Sequence, residues 1–85
     1  MILHTIEVKY LGDYRLFIAF NNGESGVVNL ERDLWGEMFE PLKDKALFAT
    51  ARHDPDAETV VWVNGADLAP EHLLELLHGQ RKDAA

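Results

Sequence analysis

The chain contains no cysteine. That excludes a disulfide framework, a thiolate nucleophile and any Cys-ligated zinc or iron–sulfur centre, and leaves packing alone to hold the domain together, as suits the cytoplasm. Serine is nearly absent as well. Ser25 is the only one and lies outside any Gly-x-Ser-x-Gly setting, so a serine hydrolase triad has no nucleophile to build on. No apolar run nears the roughly 18 residues of a membrane span, and Met1 to Glu7 lack a basic segment followed by an apolar one. A soluble, unprocessed, cytoplasmic protein is expected. Basic residues are scarce too: eight Lys and Arg against fifteen Asp and Glu give a formal charge of −7, which repels phosphate backbones. The densest basic cluster, Arg81-Lys82, is followed at once by Asp83. Neither direct nucleic-acid binding nor, without a Gly-rich phosphate loop, ordinary nucleotide binding is expected.

What is present reads as one small globule. Eighty-five residues with a hydrophobic fraction of 47% make a single domain, and the charges are scattered rather than blocked, which argues against intrinsic disorder. A chain of this length buries only about 60 to 65% of the surface it exposes when unfolded, leaving little core for a deep cleft.

Ile6, Val8 and Tyr10 alternate with Glu7 and Lys9, the period of a half-buried strand, and Gly12-Asp13 supplies a turn into Tyr14, Leu16, Ile18 and Phe20. Asn21-Asn22-Gly23 then turns the chain into Val27, Val28 and Leu30. A three-residue loop closed by a bulge at Gly23 sets Leu16 opposite Val28, Tyr14 opposite Leu30 and Ile18 opposite Gly26, keeping apolar residues on one face. Gly26 then leaves a gap on that face, which Trp35 or Phe39 is placed to fill.

From Glu31 to Pro41 the spacing of Leu34, Trp35, Met38 and Phe39 is helical, but Gly36 and Pro41 limit it to a short turn. Asp44 is a good N-cap for a brief helix carrying Leu47, Phe48 and Ala51. Arg52-His53-Asp54 and Thr59 to Val63 flank the turn-forming Pro55 to Glu58 as a second hairpin. After Asn64-Gly65, Pro70 opens an amphipathic helix with Leu73, Leu74, Leu76 and Leu77 on one arc, and Gly79 stands at a C-cap position. The expected fold is α+β: an antiparallel sheet of four or five strands, made of two hairpins, packed against two helices. The domain spans residues 1–79, and 80–85 form a flexible tail.

Four histidines raise the question of a metal, but His4 lies in the first strand, His53 near a turn, and His72 and His78 six positions apart, well apart around the last helix. Glu75 and His78 share the i, i+3 spacing of carboxylate-bridged di-iron bundles without the second copy and further glutamates such sites need. His53-Asp54-Pro55-Asp56 lacks the alternating ligands, glycine and terminal glutamate of an EF-hand loop. No metal, no cofactor and no catalytic activity are expected. The segment Trp62-Val63-Asn64-Gly65-Ala66-Asp67 admits two readings. In one, Trp62 packs in the core, Asn64-Gly65 makes a positive-φ turn and Asp67 accepts hydrogen bonds at the helix entrance. In the other, Trp62, Asn64 and Asp67, with Trp35, form an exposed grip for a partner.

The hairpin Tyr14 to Glu24, the segment Phe39-Glu40-Pro41-Leu42-Lys43-Asp44 leading to Leu47-Phe48, and Trp62-Val63-Asn64-Gly65-Ala66-Asp67-Leu68 together resemble the domain-of-unknown-function family 2442. The resemblance covers most of the chain and implies a small bacterial α+β protein. Some members of that family carry the domain ahead of a helix-turn-helix, and others are encoded beside a second small protein in an arrangement like a toxin and antitoxin pair. Here the chain ends at Ala85, so no direct transcriptional role is expected, and Lys45 stands where a proline often follows the capping aspartate, a change expected to leave the helix intact. The functional expectation is a protein-interaction module, an antitoxin-like or regulatory partner of a small basic protein. The alternative is a small-molecule-binding regulatory domain using a pocket between the sheet and the C-terminal helix. Self-association into a homodimer through an edge strand stays open.

Overall fold

A computed structural model describes residues 2–83, with side chains described through Arg81. Strands β1 (Thr5–Gly12), β2 (Arg15–Phe20) and β3 (Ser25–Asn29) form an antiparallel meander, and β4 (Arg52–Asp54) and β5 (Thr59–Val61) form a second, two-stranded sheet. The fold class is α+β, with five strands divided between the two sheets. Two single-turn 3-10 segments, Glu31–Asp33 and Glu40–Lys43, lead into the short helix α1 (Lys45–Phe48), and α2 (Pro70–Asp83) closes the chain. The second sheet adjoins β1, where the Thr5 amide donates to the Glu58 carbonyl at 3.1 Å.

The register of the β2–β3 hairpin follows the apolar pattern: Leu16 faces Val28 and Ile18 faces Gly26, while the Leu30 amide donates to the Tyr14 carbonyl. Its loop is the three-residue turn with Gly23 at φ +89°, closed by bonds from the Phe20 amide to the Glu24 carbonyl and from the Gly23 amide to the Phe20 carbonyl. Leu16, Ile18, Phe20, Val28 and Leu30 are buried on the face that receives both helices. Phe48 of α1 sets its ring edge-on to those of Tyr10 and Tyr14, at 6.0 and 5.4 Å between centroids. The Asp44 carboxylate caps α1 through the Ala46 amide, so Lys45 at the first helical position does leave the helix intact.

Three expectations are corrected. The alternation in β1 breaks at its start, because a bulge between Thr5 and Glu7 turns Ile6 outward to 58% exposure while Thr5 takes the buried place. The gap over Gly26 is filled by neither Trp35 nor Phe39 but from α2: a Cβ at Gly26 would stand 2.7 Å from Leu77 Cδ1 and 3.2 Å from an Arg81 guanidinium nitrogen. Finally, Gly79 does not end α2. The helix continues to Asp83, because Gln80 and Arg81 are held against β3 and their hydrogen bonds offset the roughly 1 kcal/mol that a mid-helix glycine forgoes. In its described part the expected flexible tail is therefore helical, and residues 84–85 lie outside the described residues.

Candidate functional site

The loop after β5 repeats the turn after β2. The Trp62 amide donates to the Ala66 carbonyl and the Gly65 amide to the Trp62 carbonyl, with Gly65 at φ +90°. In both loops an asparagine just before the glycine accepts from the amide two residues on, Asn22 from Glu24 at 3.0 Å and Asn64 from Ala66 at 3.1 Å. An aromatic residue followed by x-Asn-Gly thus encodes the same bulged turn twice. The returning chain pairs with β5 through an antiparallel bridge between Val61 and Asp67.

Three successive residues fasten this second loop to three other places. The indole Nε1 of Trp62 donates to the Phe48 carbonyl at 3.0 Å, the Val63 amide to Thr50 Oγ1 at 3.2 Å, and Asn64 Nδ2 to the Met38 carbonyl at 3.0 Å. The Trp62 ring lies 5.7 Å from Phe48 and 6.2 Å from Phe39, centroid to centroid, and the residue is 1% exposed. Trp62 is therefore a core side chain, and the structural alternative holds for it. Asn64 spends both ends of its amide on the loop and on Met38. Asp67 is exposed and bridged to Val61 three residues ahead of α2, so it does not serve the helix entrance.

Trp35 is different. It is 72% exposed, and the same loop pair exposes Met38 at 44% and Val63 at 71%. Gly36, at φ +91°, makes the turn that presents Trp35, its carbonyl accepting from the amides of Phe39 and Glu40. The bond from Asn64 to Met38 joins the two loops that carry these three side chains. The sequence singled out Trp35 but gave no signal for Met38 or Val63, which sit in apolar runs that read as core.

The segment that carries Trp35 and Met38 is rich in carboxylates. Residues 31–40 hold Glu31, Asp33, Glu37 and Glu40 against the single base Arg32, and Asp67 adds to them from the second loop. Glu40 pairs with Lys43 at 2.9 Å and Asp33 faces His72 at 3.6 Å. Among the described residues, Glu31, Glu37 and Asp67 have no ion-pair partner. That segment is thus net negative, like the chain as a whole.

Elsewhere each histidine is occupied separately: His4 with Glu58 and Asn21, His53 with the Thr5 hydroxyl, His72 with Asp33, and His78 with Glu24 at 2.6 Å. The hydrogen bond from His78 holds the Glu24 carboxyl below its ordinary range, and backbone donation from Asp56 does the same for Asp54. An open hollow of about 830 Å³ lies between the end of β3, the turn at residues 31–33 and α2, lined in part by Glu31, Arg32, Asp33, Glu75 and Gln80. No helix of the described residues is long and apolar enough to cross a membrane.

Comparison with known proteins finds no match among curated proteins or solved structures. The model of one family, a protein of unknown function (DUF2442), matches residues 5–79, a span that begins with β1 and takes in every element through most of α2. By that match the chain belongs to the DUF2442 family.

Proposed function

We propose that this domain is a protein-interaction module whose contact surface is the apolar patch of Trp35, Met38 and Val63. The observation that carries the reading is the exposure of Trp35 on loops otherwise tightly fastened: a large rigid aromatic held out to solvent is an anchor awaiting a pocket. A surface tryptophan gains nothing for the fold by standing in water, since an apolar side chain stabilises only what it buries. The net negative charge of the segment bearing Trp35, and of the chain, favours a partner with basic residues around an apolar recess, because like-charged partners are repelled and opposite charges steer encounter. A small basic protein, held in an antitoxin-like or regulatory complex, fits that description.

The test is capture of the tagged chain at native expression level, followed by mass spectrometry of companions present in near-equal amount. The expected result is one small basic companion that is retained by the wild type and lost with Trp35→Ala or Val63→Asp. A clean protein with no companion, or a companion held equally by the variants, sinks the reading. A second reading rests on the hollow between the turn at residues 31–33 and α2, which lies where a small regulatory ligand would sit between sheet and helix. Thermal-shift screening checks it, because a ligand at one hundred times its dissociation constant stabilises by about 2.7 kcal/mol.

A further inference from the structure

The free edge of β3 carries an unusual cover. The Phe20–Glu24 and Tyr14–Leu30 bonds fix the alternation of the β2–β3 ladder, so Glu24, Gly26, Val28 and Leu30 bond inward to β2. Ser25, Val27 and Asn29 turn their backbone groups to the outside. Natural edge strands are protected by charged side chains, prolines or bulges, and Ser25-Gly26-Val27-Val28-Asn29 has none of these. Its protection comes from α2 instead. Gln80 Oε1 accepts from the Asn29 amide at 2.8 Å and Gln80 Nε2 donates to the Asn29 carbonyl at 2.8 Å, the pair of bonds a neighbouring strand residue would make. The Arg81 guanidinium donates to the Ser25 carbonyl, and Arg81 also approaches Glu24 at 3.8 Å.

We infer that the last turn of α2 is a lock on a latent self-association edge, and that the occupant it excludes is β3 of a second copy of this chain. Three observations favour that occupant. The outward groups at 25, 27 and 29 are symmetric about Val27, so a two-fold axis through Val27 lets Ser25 of one copy face Asn29 of the other, each pair exchanging N–H and C=O bonds. The strand is uncharged within a chain of formal charge −7, so its own side chains add no like-charge repulsion across the axis. Val27 is exposed beside half-buried Phe17 on the outer sheet face, and pairing would extend that apolar row across the axis. The lock is releasable, because Gly79 sits immediately before its two working residues and lowers the helical preference of this turn.

The experiment is sedimentation of the wild type and of Gln80→Ala/Arg81→Ala, from about 10 μM to about 1 mM, with circular dichroism to establish that each is folded. A sample at the upper concentration then reports a dissociation constant down to a binding free energy of about −4 kcal/mol. The wild type is expected to stay monomeric and the double variant to dimerise at least about tenfold more tightly, with Val27→Pro in that background restoring the monomer, since proline removes the central edge N–H and is tolerated at an edge. Should the double variant fail to fold, Gln80→Met carries the same expectation, as it keeps a good helix former and removes both the acceptor for the Asn29 amide and the donor to its carbonyl. A folded, lock-free variant that stays monomeric, a dimer indifferent to Val27→Pro, or a wild type already paired through β3 would each overturn the inference.

Discussion

Leu77 stands directly over Gly26, its Cδ1 only 2.7 Å from where a Cβ on that residue would lie. The contact seats the C-terminal helix on the sheet at the one inner-face position of β3 that has no side chain, opposite Ile18. Glycine serves there for close approach, not for its backbone freedom.

Gly26→Ala is therefore expected to destabilise the fold by about 1–3 kcal/mol, the usual penalty for overpacking. Paired with Leu77→Ala, which alone removes a fully buried side chain at about 2–5 kcal/mol, it should cost less than the sum, because the new methyl then has room. Urea unfolding of the two single variants and the double provides the cycle, and strict additivity would contradict the contact.

The two tryptophans should separate spectroscopically. Trp62→Phe leaves the exposed Trp35, with red-shifted emission that iodide quenches, whereas Trp35→Phe leaves the buried Trp62, blue-shifted and protected. Only the first substitution should destabilise, by about 1–3 kcal/mol, because the Phe48 carbonyl loses its indole donor in a buried place. Fluorescence during chemical denaturation reads both effects at once.

Glu58 holds a left-handed conformation, φ 58°, so that its carbonyl can meet the Thr5 amide while its carboxylate lies 3.4 Å from His4. Glu58→Gly and Glu58→Ala both lose the exposed ion pair, but only glycine relieves the backbone. The glycine variant should be the more stable of the two by about 1 kcal/mol in thermal or urea unfolding. Equal stabilities would mean that the turn relaxes.

Stability should fall in acid. Glu24 and Asp54 have carboxyls held below their ordinary range, so each adds stability that is present above its unfolded value and lost as pH drops through the folded one. Melting temperature is expected to be level from pH 7 to about 5 and to decline below about 4, where free carboxylates begin to protonate. With Glu24→Gln and Asp54→Asn together the decline should be shallower. An unchanged acid limb would remove these two groups as its source.

Much of the architecture is local and was readable from residue order. Alternating apolar residues around Asn21-Asn22-Gly23 dictate the register of β2 on β3, because any other pairing would turn polar side chains into the core. Asp44 before a short apolar segment, and Pro70 before a leucine arc, mark helix starts through the same orphan amides and fixed φ that mark them anywhere. The apolar spacing around Trp35 and Trp62 could not say which indole is buried. That depended on Phe48, Phe39 and the Phe48 carbonyl closing around Trp62, while Gly36 turned Trp35 into solvent.

By itself, then, the sequence determined the α+β class, the strand partners and register of the central hairpin, the cap of α1 and the absence of cysteine chemistry, all consequences of short-range sterics, periodicity and composition. Tertiary structure alone decided the rest. Ile6 was turned out by a bulge, Gly26 received Leu77, and α2 ran on past Gly79 because Gln80 and Arg81 found the open backbone of β3, some 50 residues away in sequence. Those outcomes depend on which groups meet across the fold, and a helix end or an exposed side chain takes its fate from partners that no local pattern names.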